Sequence, residues 1–113
     1  KHMSVTAIEP SITVPLTEAA VAELVDADLV GRQVIITNLD IANTLFWKFQ
    51  YSLDKVAYTD LAAFAALAPL AAVQVVLTNP ANYHRLRAYG NLKIAVSVTR
   101  YKGFSGTFPL VTV

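Results

Sequence analysis

The chain contains no cysteine, and charge is scarce: Asp, Glu, Lys and Arg make up 15% of its 113 residues. Without thiols it has no thiol nucleophile, no Cys-ligated zinc and no disulfide framework. The formal charge is +1, and neutral once Lys1 is set aside, so no basic excess draws it to nucleic acid or anionic lipid. Histidine is confined to His2 and His84. A single internal histidine cannot build a multi-histidine metal site, and His84 reads as a packed or surface residue rather than a catalyst. Long apolar runs are also missing. The longest, LAAFAALAPLAAV at 61–73, is broken by Pro69 and is shorter than the roughly 20 residues a bilayer span requires. The opening SVTAIEPSITV has neither the basic stretch nor the continuous apolar stretch of a secretory signal. No G-x-S-x-G, Walker-type loop or H-E-x-x-H occurs. The expectation is therefore a protein made in a cytoplasm, with no enzymatic activity, no cofactor, no bound metal, no nucleic-acid partner and no membrane association. Asp26 and Asp28 form a D-x-D, but the rest of an EF-hand loop is absent, and the pair reads as solvated loop carboxylates.

What is abundant is apolar surface. Hydrophobic residues make up 55% of the chain, above the usual share, in a domain with a high surface-to-volume ratio. Part of that excess is expected on the outside, where it marks contact with another subunit and predicts a homo-oligomer. Lys1–Met3 reads as an expression remnant, residues 4–16 as an N-terminal arm or edge strand, and 17–113 as one domain.

Alternation dominates the pattern. In NTLFWKFQYS (43–52), Leu45, Trp47, Phe49 and Tyr51 share the expected core face, and Phe46, Lys48, Gln50 and Ser52 share the other. RQVIITN (32–38), VAYT (56–59), AAVQVVLTN (71–79) and GTFPLVTV (106–113) read as further strands, with SLDK (52–55) and NPAN (79–82) as turns. YHRLRAY (83–89) and LKIAVSVTRY (92–101) read as a hairpin closed by Gly90-Asn91, with Ile94, Val96 and Val98 inward. Two stretches carry helical spacing. Thr17 and Gly31 would bound a helix holding Val21, Leu24 and Val25, and Asp60 would cap one holding Leu61, Phe64, Ala65 and Ala68. The predicted fold is all-β: an antiparallel β-sandwich of about seven or eight strands with one or two short helical insertions.

The candidate interface is the outer face of this hairpin. Tyr83, Arg85, Arg87 and Tyr89 lie on one face of 83–89, opposite His84, Leu86 and Ala88, and Phe46 stands on the mostly polar face of 43–52. Tyrosine and arginine suit protein interfaces. They also suit plain cross-strand packing, and they can stack bases or sugars.

ITNLDIANTLFWKFQYSLDKVAYTDL (36–61) followed by YHRLRAYGNLKIAVSVTRY (83–101) resembles small phage virion β-sandwich proteins of immunoglobulin-like type. The matching positions are Asn43-Thr44, Gln50-Ser52-Asp54, Thr59-Asp60-Leu61 and Tyr83-Arg85-Leu86-Arg87-Ala88-Gly90. The resemblance implies an immunoglobulin-like sandwich and a capsid decoration (cement) protein in the virion, whose partner is the major capsid protein or another virion protein. The alternative is a carbohydrate- or receptor-binding module of a phage fibre or bacterial surface protein.

Overall fold

In a computed structural model the chain is described at residues 4–25, 29–77 and 83–102, with side chains at 11–23, 33–77 and 83–98. Among the described residues nine strands run in chain order: β1 (Ser4–Val14), β2 (Ala19–Val25), β3 (Leu29–Asn38), β4 (Leu45–Ser52), β5 (Thr59–Asp60), β6 (Ala65–Leu67), β7 (Ala72–Leu77), β8 (Tyr83–Tyr89) and β9 (Leu92–Lys102). They form two antiparallel sheets. One is ordered β1-β9-β3-β7; the other is ordered β2-β8-β4-β5, with β6 also on β4. The all-β sandwich is as expected. Asp26, Asp28 and the strand expected at 106–113 lie outside the described residues.

The path of the chain is not the immunoglobulin one. From β1 to β4 and from β7 to β9 each strand lies in the sheet opposite its predecessor, and only β4, β5 and β6 stay together. That interleaving, with β1 and β9 adjacent, is a jelly-roll wrap. An immunoglobulin sandwich instead pairs its first two strands in one sheet.

The expected hairpin at 83–101 is likewise corrected. β8 pairs with β2 and β4, while β9 pairs with β1 and β3, so Gly90-Asn91 is an arch between sheets. Gly90 has φ of +144° and Asn91 of +57°, and both N–H groups donate to the Pro15 carbonyl at 3.0 Å. The side-chain alternation itself is as expected. His84, Leu86, Ala88, Ile94, Val96 and Val98 are all buried.

Neither expected helix forms. Residues 19–25 are strand β2, with a register shift between Ala20 and Ala22. The extra residue breaks strict alternation: Ala19 and Ala22, three apart, lie opposite the inward Ala88 and Leu86, and Val21 packs against the core as well. At 59–67 the chain runs back along β4. Asp60 lies opposite Gln50 and Ala65 opposite Trp47, so four residues, 61–64, face only two of β4. The excess bulges out and leaves Leu61, Ala62 and Ala63 exposed.

The core lies between the sheets and includes Val34, Ile36, Leu45, Phe49, Leu86, Ile94 and Val96. The expected inward set of β4 is correct in register, but Leu45 and Phe49 are buried whereas Trp47 and Tyr51 are only half-buried. One polar side chain organises an end of the sandwich. The amide nitrogen of Asn38, fully buried, donates to the carbonyls of Asn43 (2.9 Å), Leu67 (3.1 Å) and Ala68 (3.3 Å). Its Oδ1 accepts the Asp40 N–H at 2.9 Å. Asn38→Ala should therefore cost about 2 kcal/mol, because a buried carbonyl and an N–H lose their partner together. Asn43→Ala, which loses one exposed bond to the Asn91 carbonyl, should cost under about 1 kcal/mol. Urea unfolding of both variants measures the contrast.

Candidate interface site

The five residues expected at an interface share the outer face of the β2-β8-β4 sheet, because cross-strand register brings them together. Phe46 lies opposite Tyr89, Lys48 opposite Arg87, Gln50 opposite Arg85 and Ser52 opposite Tyr83. The Phe46 and Tyr89 rings stack at 4.9 Å and 14°. Phe64, thrown outward by the bulge, meets Tyr89 edge-on at 5.1 Å, and the Lys48 ammonium sits 4.5 Å above the Phe64 ring.

The arginines work within the sheet. Arg85 Nε donates to Gln50 Oε1 at 2.7 Å, and its guanidinium lies 3.7 Å from the Tyr58 ring centre. Arg87 Nε donates to Glu18 Oε1 at 2.8 Å. Lys48 bridges Asp60 at 3.2 Å and Glu18 at 3.8 Å, and Gln50 Nε2 donates to Asp60 Oδ1 at 2.6 Å. The cations Lys48, Arg85 and Arg87 are thus interleaved with Glu18, Glu23 and Asp60, and Glu23 also bridges Lys55 at 3.7 Å. Interleaved charges of both signs give phosphate no concentrated positive field. Among the described residues, no group of three or more His, Cys, Asp or Glu side chains could hold a metal ion.

Glu18, Gln50, Tyr58, Asp60 and Phe64 belong to this network but are not among the residues the sequence marks for an interface. Glu18, Asp60 and Phe64 fall in the stretches with helical spacing, and only the register of the strands beside them reveals where they meet.

Three carboxyls are held below their ordinary range. For Asp60 the main cause is the Gln50 hydrogen bond, followed by that of Lys48. For Asp40 the causes are the N–H groups of Asn43 and Ala42. For Asp54 they are the N–H groups of Val56 and Ala57, then the Ser52 hydroxyl. A lowered folded-state pKa stabilises above the unfolded carboxylate pKa of about 4, and that stabilisation is lost as pH falls through the lowered values. Stability to urea should therefore be level from about pH 8 to 5 and fall below about pH 4. Asp40→Asn, Asp54→Asn and Asp60→Asn combined should flatten the acid limb, and an unchanged limb would assign acid unfolding to other groups.

No family model matches the chain, and no curated protein matches it. The fold does recur among solved structures. A structure described as "Bacillus endospore appendages form a novel family of disulfide-linked pili" is similar with a TM-score of 0.59 at 10% identity, over 91% of this chain and 92% of that one. The crystal structure of PirA is similar with a TM-score of 0.52 at 14% identity, over 87% and 92%. At these identities the likeness is one of fold.

Proposed function

We propose that this protein is a non-enzymatic structural subunit that works by associating with copies of itself in an extracellular or particle-borne assembly. The observation that carries the reading is where its large apolar side chains stand. At the arch end of the sandwich, Leu16, Ile41 and Leu70 are 70%, 82% and 64% exposed. At the opposite end, Leu53 and Val56 are 73% and 82% exposed. Apolar tips at both ends are a liability for a dispersed monomer and useful in a packed assembly.

The shared fold with a pilus subunit supports the same reading by analogy. Any such assembly would be held without disulfides, since the chain has no cysteine. Capsid decoration of a virion is the narrower form, supported by the motif resemblance across 36–61 and 83–101. Binding of a carbohydrate through Phe46, Phe64 and Tyr89 is less well supported, because these rings already pack on one another and under Lys48.

Sedimentation velocity over a hundred-fold concentration range, with electron microscopy of the same samples, tests the proposal. Growing oligomers, filaments or shells are expected. A single monomeric species at every concentration would defeat it.

A further inference from the structure

An antiparallel sandwich exposes four sheet edges, and exposed edges invite pairing unless blunted. In this chain the described edges are treated unequally. β1 carries Glu9-Pro10 and a register shift between Glu9 and Ile12. β2 has its shift between Ala20 and Ala22, follows Glu18 and carries Glu23. β5 and β6 are two and three residues long, and Asp60 is exposed. Prolines, bulges, charges and brevity are the usual means of closing an edge.

β7 has none of them. Ala72–Leu77 is six residues of AVQVVL, without charge or proline, and its pairing with β3 runs through six residues without a shift. Val76 is 59% exposed, with Ile35 and Leu61 at 37% and 39%. Beside β7 lies an apolar cleft of about 460 Å³ lined by Trp47, Leu61, Ala62, Val75 and Leu77.

The backbone of this edge is set up for a partner. Asn38 donates its N–H to the Ala71 carbonyl, at the next position of the β3–β7 register. Antiparallel bonding repeats every second residue, so Val73, Val75 and Leu77 bond to β3. The N–H and C=O groups of Ala72, Gln74 and Val76 are left pointing to the open side.

We infer that β7 is the edge through which two copies of this chain pair, antiparallel about a two-fold axis at Gln74. This deepens the self-association reading and rests on it. Charge matching selects the occupant: an uncharged strip fits an uncharged strip, and among the described edges of this chain that strip is β7 itself. Centring on Gln74 places Ala72 opposite Val76 of the second copy and Gln74 opposite Gln74. All the outward groups of those three residues then find partners, in about six hydrogen bonds. The two four-stranded sheets become one continuous sheet of eight.

Gln74 is exposed, so substitutions there should leave the fold intact, which thermal melts check. The experiment compares wild type, Gln74→Lys, Gln74→Glu and an equimolar mixture of the two variants, by sedimentation equilibrium and native mass spectrometry at low salt. Like charges meet across the axis in each variant alone, and the dimer dissociation constant should rise at least about ten-fold. In the mixture Lys faces Glu, and a heterodimer of near wild-type affinity should form. If both variants associate as well as wild type, β7 is not the contact, while the self-association reading stands. Weakening of both variants without recovery in the mixture would overturn the two-fold register, in favour of contact with a different edge such as β1. A wild type that stays monomeric overturns this inference together with the reading it rests on.

Discussion

Phe49→Ala should destabilise the protein by about 3–5 kcal/mol, the usual range for emptying a core aromatic site. Phe49 is 4% exposed and lies opposite Leu86, itself 1% exposed, so its ring is at the centre of the contact between sheets. Trp47 is the larger side chain on the same face, and the sequence alone marks it as the anchor. Its indole packs edge-on to Phe49 at 6.0 Å but also lines the cleft beside β7, where solvent reaches it. Phe49 borders the same cleft but is almost fully buried, whereas Trp47 is half-buried, so Trp47→Ala removes a less buried side chain and should cost less, about 1–3 kcal/mol. Equilibrium urea unfolding of both variants, with Lys48→Ala as an outer-face control, ranks them. A larger loss for Trp47→Ala would move the centre of the core to the seam.

The difference between these residues shows what alternation can and cannot reveal. Period-two patterning correctly divides β4 and β8 into inner and outer faces, because each strand has one face against the core. It carries no information on how deeply an inward position is covered, and that depth separates the buried Phe49 from the half-buried Trp47. Local turn chemistry misleads at Gly90-Asn91, although the sequence contained the correction. In a two-residue hairpin Tyr89 and Leu92 would stand opposite each other on one face, and Arg87 would oppose Ile94. Leu86 and Ala88 must face inward, and so must Leu92 and Ile94. The two inward sets therefore share one parity, which a two-residue hairpin forbids and an arch between sheets permits.

Bulges account for the remaining differences. In β2 one extra residue, and between β5 and β6 two, convert a spacing of two into three or four. Nothing local distinguishes that from a helix. Other members of the outer-face network are not expected at the interface for a related reason. Their partners are distant in sequence: Arg87 and Glu18 are 69 residues apart, and Arg85 and Gln50 are 35 apart. Composition and spacing do not encode such pairings; register does.

The arch supplies the other large expected effect. Gly90→Ala should cost about 3 kcal/mol or more, for two reasons that add. At φ of +144° a residue with a side chain is strained, typically by about 1–3 kcal/mol. A Cβ at Gly90 would also stand 2.7 Å from the Thr44 carbonyl oxygen and 3.1 Å from Leu92 Cδ2. The leucine tip can turn aside, but the carbonyl is backbone at the entry to β4. Its displacement would disturb the Gly90 and Asn91 N–H bonds to Pro15 that hold the β1–β2 turn against the arch. Asn91 is the matched control. Its φ of +57° is one that asparagine tolerates and alanine adopts at modest cost, and it is exposed, so Asn91→Ala should cost about 1 kcal/mol. Urea unfolding of both variants reads the difference, and amide exchange reports whether the loss begins at the Pro15 bonds. Equal costs for the two substitutions would mean that the chain does not cross between sheets through a glycine-only geometry at this point.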